Sequence, residues 1–119
     1  ITLDFIGGRV RAGEFTTAGP DALEQVHRFN ADLAFIGAGG VSLDDGVTDY
    51  SIDDAAVKAA MIASATRTFA VVGSEKLNKR ALRSVCRIDE LAGVITDSGA
   101  QDSAADEFSA AGVSLVRPR

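Results

Sequence analysis

The 119-residue chain sets 12 lysines and arginines against 17 aspartates and glutamates, a net charge of −5, and is 46% hydrophobic. That balance suits one soluble domain with a core of its own; it excludes a disordered chain, and the acidic excess argues against direct nucleic-acid binding by these residues. No apolar run approaches the roughly 20 residues of a membrane helix, and one cysteine with one histidine leaves no disulfide, no Cys- or His-rich metal site and no expected cofactor.

Residues 1–6 alternate Ile1, Leu3 and Phe5 with Thr2 and Asp4, the period of a half-buried strand. A chain that opens in this way, without a methionine, is expected to be a piece of a longer protein. Gly7-Gly8 breaks the strand, and residues 9–17 form a second extended segment leading to a turn. Gly19-Pro20 opens a helix, because proline is tolerated where the first amide has no partner; Ala22, Leu23, Val26 and Phe29 line it and Asn30 stops it. Leu33-Ala34-Phe35-Ile36 is apolar throughout, as in a strand covered on both faces. Gly37-Ala38-Gly39-Gly40 ends that strand, and residues 41–50 read as a long loop.

Ser51 caps a helix over residues 52–66, with Asp53 and Asp54 at its positive end. This helix is apolar nearly all round, so it is expected to lie between two surfaces, either sheet and neighbour or sheet and partner subunit. Residues 68–72 form another buried strand ended by Gly73. A short helical turn is expected over 79–84, a short strand over 84–87, and a strand over 94–96 that exits through Asp97-Ser98-Gly99. A helix from Gln101 buries Ala104, Ala105, Phe108 and Ala111 and stops at Gly112. Val113, Leu115 and Val116 form a last strand. Strands and helices alternate at spacings that need crossovers, which defines an α/β class: an open, mostly parallel sheet flanked by helices, in one domain.

Ligands of such sheets bind beyond the carboxyl ends of the strands, and three strand exits carry unusual residues. Gly37-Ala38-Gly39-Gly40 is either a tight turn demanded by packing or a set of amides turned toward an anion. It is not a dinucleotide fingerprint, since the third glycine position falls at Ser42 and no helix starts behind it. Lys76, just past a buried strand, supplies a point charge for a phosphate or is simply solvated. Asp97 accepts hydrogen bonds from sugar hydroxyls or caps its own loop. Asp54 and Lys58 sit four apart on one helix face, where a local ion pair of about 0.3–0.5 kcal/mol explains them; Ser51 and Asp54 also have capping-box spacing. His27 reads as a surface residue and Cys86 as packing, and one histidine supports no Ser-His-Asp or Cys-His set.

Taken in order, these pieces form a pattern. Gly7-Gly8, Gly19-Pro20 with Ala22, the run from Ala31-Asp32-Leu33 through Gly39-Gly40-Val41, Asp45-Gly46-Val47-Thr48, Asp54-Ala55-Ala56-Val57-Lys58 onward to Met61-Ile62, Ser74-Glu75-Lys76 and Val94-Ile95-Thr96-Asp97 together resemble the C-terminal sensor domain of DeoR-family bacterial transcriptional regulators. The resemblance implies a fold similar to ribose-5-phosphate isomerase and CoA transferases. It implies a repressor of sugar catabolism in the cytoplasm whose sensor binds a phosphorylated sugar or related metabolite, with operator DNA bound only through an N-terminal helix-turn-helix. That module and the first part of the sensor are expected to be absent here, making residues 1–119 a partial effector-sensing domain. The full-length protein is expected to be a homo-oligomer without a membrane partner.

The ligand-binding residues assigned on this reading are Gly37, Ala38, Gly39, Gly40, Asp54, Lys58, Lys76 and Asp97, with no catalytic residue and no metal. Three departures from the family pattern bear on them. Gly73-Ser74-Glu75-Lys76 stands where Asp-Ser-Ser-Lys is frequent. Asp54 stands where glutamate is usual. The exit Gly37-Ala38-Gly39-Gly40 lacks the acidic residues of the related isomerases, which leaves no evident base to move a proton. The alternative is a sugar-phosphate isomerase-like enzyme that uses Asp54 or Asp97.

Overall fold

The computed structural model describes residues 1–118. A small antiparallel hairpin, β1 (Arg9–Val10) and β2 (Thr17–Ala18), leads into α1 (Pro20–His27) and β3 (Ala31–Ile36). A second hairpin, β4 (Gly40–Ser42) and β5 (Gly46–Asp49), precedes α2 (Ile52–Ser64) and β6 (Ala65–Val71). The chain then runs through a 3-10 turn at Ser74–Lys76, β7 (Arg83–Cys86), a second 3-10 turn at Ile88–Glu90, β8 (Gly93–Ile95), α3 (Asp102–Ala110) and β9 (Leu115–Val116). The main sheet is four-stranded and parallel in the order β3-β6-β8-β9, and β4, β5 and β7 make a separate antiparallel sheet. It is an α/β fold with the parallel sheet flanked by three helices.

Register decides where the core sits. Ile36 pairs with Ala70 and Ala70 with Val94 across three strands, so their side chains share one face. All three are buried, and Phe108 from α3, Met61 and Ile62 from α2, and Val41, Val47 and Cys86 from the antiparallel sheet pack with them. Burial pushes the Cys86 thiol up to about 11, an inert packing group as its sequence context implied. His27 is exposed.

Proline at the first position of α1 and the Ser51 hydroxyl accepting the Asp54 amide at 3.2 Å set the starts of α1 and α2. Gly112, at φ +78°, lies just past the end of α3.

Several expectations are corrected. Residues 1–6 are not a strand: they run without a ladder partner, and Ile1, Leu3 and Phe5 are exposed. Strand-like alternation alone does not supply a neighbour to hydrogen-bond with. β3 is a strand but is not covered on both faces, since Leu33 is 46% and Phe35 55% exposed. Residues 41–50 are not a loop. They fold as the β4–β5 hairpin around Asp44-Asp45-Gly46, with Val41 and Val47 fully buried; Gly46 holds φ +69°, and a Cβ there would strike the Cys86 carbonyl. The turn expected over 79–84 falls instead at Ser74–Lys76, because residues 79–81 pack against the hairpin, where Ala81 donates its amide to the Thr48 hydroxyl at 2.8 Å. In α2 the exposed side is Ile52, Ala56, Ala59 and Ala63, so only part of its apolar circumference is covered. Ala111 is exposed, not buried.

Phe108 is the largest fully buried side chain and ties α3 to the sheet. Phe108→Ala is expected to cost about 3–5 kcal/mol, read as a lowered urea midpoint, whereas His27→Ala is expected to change stability by less than about 0.5 kcal/mol.

Candidate functional site

Parallel strands bring their carboxyl ends to one edge, and the exits of β3, β6 and β8 lie there side by side. At the β3 exit Gly37 is exposed, and a Cβ on it would come within 3.9 Å of the Lys58 ammonium. Ala38 is half-buried and packs against the core. Gly39 and Gly40 are buried. A Cβ on Gly39 would sit 2.9 Å from the Tyr50 ring, and one on Gly40 would strike the Lys79 backbone. The Gly39 amide is already donated to the Thr48 carbonyl at 2.9 Å. At Gly39 and Gly40, then, close backbone packing accounts for the glycine; Gly37 alone keeps open space before it.

α2 contributes two of the assigned side chains, but they do not pair with each other. The Lys58 ammonium pairs with Asp49, and Asp54 pairs with Arg11 and accepts from the Thr16 hydroxyl at 3.4 Å. The i,i+4 ion pair is therefore corrected. Partners from β5 and the β1–β2 hairpin reach these groups more favourably than the neighbour one turn away, and both pairs are largely shielded from solvent. Half of the capping box is present: Ser51 accepts the Asp54 amide, and the Asp54 carboxylate is given to Arg11 instead.

Lys76 lies at the β6 exit with its ammonium 6.0 Å from the centre of the Tyr50 ring, within reach of a cation–π attraction. Among the described residues no carboxylate pairs with it. Asp97, at the β8 exit, reaches across to this same turn. Its carboxylate accepts the Ser74 amide at 2.9 Å and the Gly99 amide at 2.7 Å, and these bonds, Ser74 first, hold its pKa below the ordinary 3.8. Asp97 is thus a clamp between two strand exits. Beside it, Thr96 is buried and its hydroxyl finds no partner among the described residues.

The arrangement links the assigned positions through contacts: Gly37 to Lys58, Gly39 to Tyr50 and Tyr50 to Lys76, then along the 3-10 turn to Ser74 and Asp97. Asp54 faces the β1–β2 hairpin and is tied to the rest only through α2. A cleft of about 200 Å³ opens next to Asp97, between the 3-10 turn and the start of α3; Ser74, Asn78, Gln101 and Glu107 line it. Asp49, Tyr50 and Arg11 escape a reading of the sequence. Asp49 ends a strand taken for loop, Tyr50 follows directly behind it, and Arg11 lies in a hairpin 43 residues from its partner.

A family model, the DeoR C terminal sensor domain, matches residues 1–98. The chain is also 29% identical over 110 residues to the HTH-type transcriptional regulator GlpR of Haloferax volcanii, covering 92% of this chain and 43% of that protein. It is 30% identical over 95 residues to the transcriptional repressor AccR of Agrobacterium fabrum (79% and 37% of the two chains) and 26% identical over 116 residues to the HTH-type transcriptional repressor GlcR of Bacillus subtilis (98% and 45%). In each case it spans less than half the length of the relative. The fold and these matches define a sensor domain of a transcriptional regulator. The chain belongs to the DeoR family, as its C-terminal sensor domain.

Two predictions separate packing from ligand roles. Gly40→Ala should cost about 1–3 kcal/mol by overpacking against Lys79, while Gly37→Ala should stay within about 0.5 kcal/mol of the parent; chemical denaturation reads both. Because the folded-state pKa of Asp97 is depressed, its clamp stabilises above the unfolded value and is lost as pH falls below about 3.8. Asp97→Asn should flatten the loss of stability between pH 5 and 2.5, followed by urea midpoints across that range.

Proposed function

We propose that this domain senses a phosphorylated sugar or closely related metabolite at the edge formed by the β3, β6 and β8 exits, in a cytoplasmic repressor of sugar catabolism. The observation that carries the reading is Lys76, an ammonium without a carboxylate partner among the described residues, set beside the Tyr50 ring at a strand exit of an acidic chain. It takes the phosphate as a point charge. Lys58 adds a second cation beside the open space at Gly37, Asp49 holding it in place. Tyr50 offers an exposed ring to the apolar face of a sugar, and Gly37 with Ala38 lets the ligand approach the backbone.

The aspartates at this edge and on α2 are committed. Asp49 holds Lys58, Asp54 holds Arg11 and Asp97 holds two amides. A proton-transfer base needs a lone pair free to reach substrate, so the engagement of Asp54 and Asp97, the two candidate bases, supports binding over isomerisation. The name of GlcR, a repressor, and of AccR, another, supports repression as the outcome. In the full-length protein the effector prefers one of two states of the regulator, and operator DNA bound through a helix-turn-helix prefers the other. Reciprocal coupling then follows.

The test is a thermal-shift comparison on the full-length protein, pairing phosphorylated sugars with their unphosphorylated parents. A ligand at 100 times its Kd should add about 2.7 kcal/mol of stability. Lys76→Ala should weaken the phosphate ester at least tenfold and leave the free sugar unchanged. Equal loss for both, or no response to any phosphate ester, overturns the assignment.

A further inference from the structure

The charges of this chain are sorted by segment. Residues 76–83 carry Lys76, Lys79, Arg80 and Arg83 and no acid, although acids outnumber bases in the chain as a whole. Residues 97–110 carry Asp97, Asp102, Asp106 and Glu107 and no base. The fold sets the two stretches on either side of one cleft, the space of about 200 Å³ beside Asp97: Asn78, the residue before Lys79, lines it from one side and Glu107 of α3 from the other. A basic surface and an acidic surface are therefore neighbours.

The basic side is presented on a fixed backbone. Asn78 donates its amide to the Val41 carbonyl at 2.8 Å, the Lys79 main chain lies against Gly40, and Ala81 donates its amide to the Thr48 hydroxyl at 2.8 Å. Its side chains are unspent. Lys79, Arg80, Leu82 and Arg83 are exposed, Leu82 by 76%. Arg80 meets only Asp45, at 3.9 Å, and Lys79 and Arg83 have no carboxylate partner among the described residues. On α3, Asp102 is held by Arg117, whereas Asp106 and Glu107 are exposed and have no cation partner among the described residues.

We propose that this surface docks a second copy of the chain, through a two-fold contact in which the Lys79–Arg83 loop of each copy lies on α3 of the other. Charge selects the occupant. A nucleic acid or an acidic protein drawn to the loop also meets the acids of α3 across the cleft and is repelled by them; a basic partner drawn to α3 is repelled by the loop. A two-fold axis between the two halves sets each against its opposite, twice, with one self-complementary patch. Leu82 gives the contact an apolar centre inside its charged rim: turned into the facing cleft, it meets Leu77, Ala100 and Ala104 there.

The full-length protein tests this without any ligand, so the outcome is separate from that of the sugar-phosphate reading. In sedimentation velocity, self-association should weaken at least tenfold as NaCl rises from about 0.05 to about 0.5 M, because salt screens charge pairs of this kind. Arg80→Glu with Arg83→Glu should weaken it at least tenfold, and so should Asp106→Lys with Glu107→Lys. An equimolar mixture of the two double variants should regain the parent's association, since both contacts of the mixed pair then join opposite charges. A companion experiment treats a mixture of unlabelled and isotopically heavy parent protein with a carbodiimide, which couples an amine to a carboxylate in contact with it. Cross-links of Lys79 to Asp106 or Glu107 should join a light chain to a heavy one. Charge reversals that leave association unchanged, or variants that stay apart on mixing, overturn the proposal. Absence of mixed-isotope cross-links overturns it too, and decides the question alone if a variant fails to fold.

Discussion

The handedness of parallel crossovers governs this domain more than any single contact. Once β3, β6, β8 and β9 are laid down in one direction, α2 and α3 have only one face on which to pack, and the core concentrates there around Ile36, Ala70, Val94 and Phe108. The antiparallel β4–β5–β7 sheet completes that core with Val41, Val47 and Cys86. The same rule aligns the carboxyl ends of the strands and so delivers Gly37, Lys76 and Asp97 to one edge, although 60 residues separate the first from the last. The candidate site is a by-product of the winding.

Within that edge the charges are arranged by what each can reach. Lys58 and Asp54 share a helix face, yet partners from separate elements claim both. A half-buried charge needs a well-placed counter-charge, and a neighbour one turn away offers only a flexible, solvent-screened one. Lys76 is different. It is left to an aromatic ring, which attracts a cation without neutralising it.

How much of this was legible in the sequence depends on the range of the interaction. The starts of α1 and α2, the strand ending at Ile36 (though not its exposed face) and the alternation of strands with helices follow from local chemistry: a proline at N1, a serine cap, apolar periodicity. The β4–β5 hairpin was hidden because its strands are three and four residues long and its stability comes from Val41 and Val47 entering a core assembled by distant segments. Residues 1–6 have the periodicity of a strand and lack a neighbour to pair with, and pairing is not a property of the segment itself. For the site, the strand exits could be named, because topology places ligands there. The partners that hold the side chains in position, Arg11, Asp49 and Tyr50, could not, since each belongs to a long-range contact or to an element misread as loop.

The Asp97 clamp bears on how such a domain diversifies. It fastens the turn after β6 to the exit of β8 through main-chain amides of Ser74 and Gly99; position 99 must stay glycine, since a Cβ there would lie 2.8 Å from the Asp97 carboxylate, but neither bond draws on the side chains at 73 and 75. Residues 73 and 75 can therefore change without unfastening the turn. The pin between the two strand exits is held by main chain, whatever side chains positions 73 and 75 carry.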